Sequence, residues 1–247
     1  MIDSHAHIIN EFYLDIDNLI NKLKNKNVIK VINCATSFND IDEIINLSKQ
    51  YRGFLYSAIG IHPENIDDLK KINNLEKYIK SEKILAIGEI GLDYYQNKNN
   101  KDLQKKLFNY QLDLAEKYKL PVIIHTRDSI QDCYDILKKR KLKGIIHCFS
   151  GSFEMANEFI KLGYKLGIGG VVTFKNSKLG ETILKLGMEN LVLETDSPFL
   201  SPEPLRGKKN DSSNLFYIAD KISKILNISI DEVINKSNKN IMSIFDF

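Results

Sequence analysis

Five histidines are the side chains in this sequence best suited to chemistry, and their placement is uneven. His5 and His7, His62, His125 and His147 each close or follow a short apolar run, and none lies in a stretch with helical spacing. Two carboxylates hold equivalent places, Glu89 in AIGEIGLD and Asp196 in LVLETDSP. His5 and His7, at i and i+2, share one face of a strand. A lone His-x-His carries little weight, because such pairs arise incidentally. Four histidines and two carboxylates at separate strand ends carry more, since charged groups buried together without a cation cost several kcal/mol each. A pair of divalent cations removes that cost and fits nitrogen and oxygen ligands. The bland alternative is a set of hydrogen-bonded polar plugs at the end of the fold.

Such residues converge only if parallel strands end on one face. Short β-branched runs recur near Met1–Ser4, Val28–Cys34, Leu55–Ile61, Ile84–Ile90, Val122–His125, Gly144–Cys148, Tyr164–Gly169 and Leu191–Glu194. Between them lie amphipathic stretches, such as Leu103, Leu107, Tyr110, Leu114 and Tyr118 at 3.6-residue spacing. Asn39 or Asp40 could cap a second helix and Asp102 a longer one, and helices near Asn214–Leu226 and Ile230–Phe245 close the chain. Strands alternating with helices over 247 residues predict an α/β fold. The expected architecture is a single (β/α)8 TIM barrel, one domain over residues 1–247, with its site at the C-terminal mouth of the strands.

Composition agrees. The chain is 43% hydrophobic and 27% charged, which supports a packed core and excludes wholesale disorder. A net charge of +3, with no acidic or basic tail, points to no partner by itself. No run approaches the roughly 18 apolar residues of a membrane helix, and MIDSHAHII lacks the features of a secretory signal. Three cysteines without a CxxC exclude a zinc finger or disulfide scaffold. A cytoplasmic protein is expected, monomeric for want of a long exposed apolar stripe, with no membrane and no obligate protein partner.

The blocks IDSHAH, GIHP at 60–63, AIGEIGLDYY at 86–95, PVIIHTRDS at 121–129, IIHCFSG at 145–151, GIGGVVTFK at 167–175 and LETDSP at 193–198 resemble, in order, the TatD family of metal-dependent deoxyribonucleases. That family is a branch of the amidohydrolase-like barrels, and the resemblance runs to at least Asn210. It implies two divalent metal ions, one held by His5, His7 and Asp196, a second by His125 and His147, with Glu89 bridging both. Many amidohydrolases place a carboxylated lysine where Glu89 stands, which sets this chain with the nuclease branch. One loop departs from the family pattern, which usually reads close to RGKRNEP. Here RGKKNDSS at 206–213 carries Asp211 for Glu and Ser212 for Pro, changes that should loosen it.

The implied activity is phosphodiester hydrolysis by a water activated between two metals. The resemblance makes it a 3′→5′ exonuclease on single-stranded or frayed DNA, with Mg as the implied metal although imidazole donors suit Zn or Mn. Asp196 is the candidate to orient the water and take its proton, with Glu194 supporting it from deeper in the barrel. His62, Arg127 and Arg206 are candidate substrate contacts, the arginines because a guanidinium fork matches phosphate. Arg127 could instead pair with Asp128 or Glu64. Tyr94, Tyr95, Phe149, Phe174 and Phe199 follow strand ends and either stack a base or pack under loops. Cys148 should face the helices by alternation with His147, and Cys34 is a poor ligand at the mouth. The alternative function keeps the metals and changes the bond, to an ester or amide in a small molecule or a D-aminoacyl-tRNA.

Overall fold

A computed structural model describes residues 1–96 and 98–247. Eight parallel strands pair in sequence order: β1 (Ile2–Ala6), β2 (Lys30–Cys34), β3 (Leu55–Ile59), β4 (Ala86–Asp93), β5 (Val122–Arg127), β6 (Gly144–Ile146), β7 (Lys165–Ile168) and β8 (Leu191–Leu193). The outer ring comprises α1 (Ile16–Asn25), α2 (Ile41–Gln50), α3 (Leu75–Ser81), α4 (Lys101–Tyr118), α5 (Ile130–Leu137), α6 (Phe153–Lys161), α7 (Leu179–Leu186), α8 (Leu215–Leu226) and α9 (Ile230–Met242). The ring closes where β1 meets the end of β8. His7 N–H donates to Ser197 O at 2.7 Å, and Asp196 N–H donates to His5 O at 3.0 Å. This is a (β/α)8 barrel, as the alternation of runs predicts.

Ile2, Ile32, Ala58, Ala86, Ile123, Ile145 and Val192, from seven different strands, pack as one buried cluster with Ile244 and Phe245 of the C-terminal segment. The remaining strand, β7, contributes Gly167. A Cβ there would fall 2.0 Å from Glu194 Oε2, so the missing side chain is what admits that buried carboxylate. A second, larger cluster fills the space between strands and helices. Among the described residues no helix is long and apolar enough to cross a membrane.

Several boundaries differ from expectation. β1 continues to Ala6 and so includes His5, and β4 continues to Asp93. β6 and β8 stop early, leaving His147 and Glu194 just beyond them. Asp40 does stand at the N-cap of α2, as expected, but its carboxylate serves the short turn before it, accepting from Ser37 N–H at 2.9 Å. Asn100 precedes α4, while Asp102 sits in its first turn and complements the helix dipole.

The stripe on α4 is also rotated. Leu103 is 47% exposed, whereas Gln104 and Gln111 are buried with Leu107, Phe108 and Leu112. Each glutamine acts as a missing strand edge. Gln111 accepts from Ile61 N–H at 2.7 Å and donates to Ile61 O at 3.1 Å. Gln104 does the same for Asp93, at 2.8 Å in both directions. These amides hold the chain beside His62 and at the end of β4. Gln111→Leu, nearly equal in volume, strands both groups of Ile61 and should cost about 1–3 kcal/mol in urea unfolding. Leu103→Gln should leave the midpoint unchanged.

Candidate metal centre

Glu89 lies at the centre of the barrel mouth, and each of its carboxylate oxygens serves a different histidine pair. Oε2 is 3.4 Å from His5 Nε2 and 3.5 Å from His7 Nε2. Oε1 is 2.8 Å from His125 Nδ1 and 2.9 Å from His147 Nε2. Asp196 Oδ1 completes the first pair at 3.4 Å from His5 Nε2 and 3.3 Å from His7 Nε2. All six of these residues, nominated from strand ends, therefore meet at one place. Gly91 permits the approach of β4 to β5: its φ is +150°, and a Cβ there would fall 2.0 Å from His125 O. Asp196 adopts φ +56°, uncommon outside glycine, which turns its carboxylate back over the mouth.

The outward nitrogen of each histidine has a neighbour. His7 Nδ1–H donates to Cys34 O at 2.8 Å, and His5 Nδ1 lies 3.3 Å from Cys34 Sγ. His125 Nε2–H donates to Asp93 Oδ2 at 3.1 Å. His147 Nδ1 faces Glu194 Oε1 at 3.3 Å. Outer partners of this kind fix ring orientation and turn the other nitrogen inward as a lone pair for a cation. The inward nitrogens of His5 and His7 then sit 3.0 Å apart, a contact that two lone pairs tolerate only with a positive charge between or beside them. Glu194 Oε2 and His147 Nδ1 are buried without a hydrogen-bond partner. The donor set and its crowding fit divalent cations.

Protonation tells the same story. Burial opposes ionisation of Glu89, yet His147, His62 and His5 hold it well below the usual carboxylate range. Burial also opposes ionisation of Asp196, and hydrogen bonds from His5 and His7 outweigh it and hold its pKa low. Burial and His5 push His147 down, but Glu89 and Glu194 raise it to about 9. Protons on imidazoles thus occupy the electrostatic role that cations would fill.

His62 differs. Its Nδ1 accepts from Glu64 N–H at 3.2 Å, so the ring proton of the neutral form sits on Nε2, 3.6 Å from Glu89 Oε1. Burial first, then His125, lowers its pKa to about 3. His62 lies close enough to Glu89 and His125 to complete a ligand triad, but it presents a donor hydrogen rather than a lone pair. Arg127 and Arg206 are exposed and, among the described residues, pair with no carboxylate, neither Asp128 nor Glu64 included. Their guanidiniums lie over aromatic rings, Arg127 over Tyr95 at 3.9 Å and Arg206 over Phe174 at 3.7 Å from the ring centroid.

Alternation misplaces Cys148. The residue turns at φ +46°, its N–H donates to Glu194 Oε1, and its thiol feels the charges of Asp196 and Glu194. Asp93 and Cys34 were missed as supports. Asp93 stood in the same block as Glu89, a usable signal, whereas the Cys34 carbonyl leaves no trace in side-chain chemistry. The Asp211 departure keeps the loop anchored: its carboxylate accepts from Ser213 N–H at 2.9 Å and from Lys22 Nζ at 2.6 Å.

Comparison with known proteins agrees with this geometry. The family described as TatD related DNase matches residues 2–246. The uncharacterized metal-dependent hydrolase YabD of Bacillus subtilis is 37% identical over 255 residues, covering 99% of this chain and 98% of that protein. The crystal structure of YjjV, a TatD homologue from Escherichia coli K12, superposes with TM-score 0.94 at 29% identity, covering 100% of this chain and 98% of its own. A TatD family hydrolase from Entamoeba histolytica follows at TM-score 0.86 and 26% identity, covering 99% and 97%. By sequence and by fold, the chain belongs to the TatD-related DNase family of metal-dependent hydrolases.

Proposed function

We propose that this chain is a two-metal phosphodiesterase, a deoxyribonuclease that removes nucleotides from the 3′ end of single-stranded DNA. His5, His7 and Asp196 would hold one ion, His125 and His147 the other, and Glu89 both, as the division of its two oxygens supports. Cations bound there would supply Lewis acidity, acidifying water and offsetting charge on the phosphoryl oxygens.

The chain's own groups do the rest. Asp196 stays ionised, keeps an edge open to the mouth, and can orient the attacking water and accept its proton. His62, neutral with hydrogen on Nε2, donates to a non-bridging oxygen without adding charge. Asp93 accepts from the outer nitrogen of His125, and the Glu194 carboxylate faces that of His147. Phosphate is favoured over a neutral ester or amide by one observation: two unpaired arginines held over aromatic rings, Arg127 at the end of β5 and Arg206 on the loop that follows β8. Those planar forks match phosphate oxygens and would have no use beside a small neutral substrate.

Digestion of a 5′-labelled single-stranded oligonucleotide with Mn, Mg or Zn tests this reading. A one-nucleotide ladder that EDTA abolishes is expected, with Asp196→Asn slower by about 10²–10⁴-fold. Arg127→Ala and Arg206→Ala should lower activity on DNA. Absence of cleavage by folded, metal-loaded protein, with turnover of ester or amide substrates instead, would overturn it.

Metal binding should release protons, because His147 with a pKa near 9 must deprotonate to bind. Apparent affinity in calorimetry should therefore climb by up to about tenfold per pH unit between pH 6.5 and 9. The sign reverses for metal-free stability. A raised imidazole pKa stabilises the fold fully below 6.5, and that contribution is lost as pH rises through about 9. Thermal unfolding in EDTA across that window should show the fall, and a flat affinity profile would contradict the assignment.

A further inference from the structure

A large aromatic side chain stands half exposed at the mouth, where packing does not explain it. Phe199, three residues after Asp196, is 49% exposed beside a buried polar cluster. Its backbone is nevertheless fixed: the N–H donates to Asp196 O at 2.9 Å, and its carbonyl accepts from Nδ2 of buried Asn210 at 2.7 Å. Phe12, from the loop after β1, braces the ring edge-on, with centroids 5.5 Å apart and planes at 76°. The His7 ring lies 6.2 Å away on the side of the cluster. Of the other aromatics that follow strand ends, Tyr94 and Phe149 are buried, while Tyr95 and Phe174 lie under arginines.

The geometry points to a base-stacking platform: Phe199, braced by Phe12, receives the face of an unpaired nucleobase next to the scissile phosphate and so selects single-stranded ends. This rests on the phosphodiesterase reading above. A rigid aromatic at the edge of a phosphate-handling site is poised for a base one sugar away. In a duplex that base has both faces covered by its neighbours, so only a frayed or single-stranded nucleotide can offer one. Stacking tolerates any base because each has a π-face, so the platform reads strandedness and not sequence. Arg206, on the same loop, gives the phosphate contact that an adjacent nucleotide requires.

The test uses the full chain and two labelled oligomers of equal length. One is oligothymidylate, and the other carries the same phosphates with every base replaced by tetrahydrofuran. Binding is followed by fluorescence anisotropy in EDTA, where metal-dependent hydrolysis cannot proceed, and KM is then measured for oligothymidylate with Mn-loaded protein. Phe199→Ala should weaken oligothymidylate binding about fivefold or more and raise KM without lowering kcat, while leaving the base-free oligomer unchanged. Phe199→Trp should retain wild-type affinity, and Arg206→Ala should weaken both oligomers alike. Equal loss on both oligomers, or no loss on either, in Phe199→Ala would overturn the platform while nucleic-acid binding itself stands. If wild type binds neither oligomer and cleaves no DNA, the phosphodiesterase reading falls and the platform falls with it.

Discussion

A single carboxylate shared between two histidine pairs is the constraint on which the site depends. Glu89 sits almost fully buried among imidazoles whose nearest atoms lie 2.8–3.6 Å away. Without positive charge, those inward nitrogens and carboxylate oxygens repel one another in a region that water screens poorly. The metal-free chain meets that requirement with protons, as the raised pKa values of His5, His125 and His147 record. Divalent cations would meet it with more charge and with useful chemistry, so that metal binding and relief of repulsion would be the same event.

The barrel is shaped around this requirement. Gly167 gives up its side chain to admit Glu194, and Gly91 lets the strand bearing Glu89 approach the strand bearing His125. Left-handed backbone at Cys148 and Asp196 redirects the chain just beyond β6 and β8, where site residues must face inward instead of following strand alternation. Such conformations cost free energy and are found where tertiary structure over-determines them. Here the compensating contacts are visible: Asp196 N–H bonds to His5 O, and Cys148 N–H bonds to Glu194.

Much of this was legible because parallel barrels bring strand ends to one mouth, so histidines at the ends of apolar runs had to meet. The gathering of His5, His7, His125, His147 and Asp196 around Glu89 followed from that rule, whereas their division between two ions came from the family resemblance. Three features resisted it. Gln104 and Gln111 read as the polar face of α4, since their burial depends on backbone groups of Asp93 and Ile61 elsewhere in the chain. Cys148 escaped because alternation assumes extended backbone, which φ +46° violates. His62 was placed at the right end of β3, but its role as donor depends on the N–H of Glu64 reaching Nδ1, a matter of loop geometry. Residue type located the site, and hydrogen-bond direction sorted its members.

Anomalous diffraction from crystals equilibrated with Mn tests the central claim most directly. Two peaks about 3.5–4 Å apart, one between His5, His7 and Asp196 and the other between His125 and His147, with Glu89 ligating both, are the expected result. A single peak, or one that leaves Glu89 uncoordinated, would contradict the account.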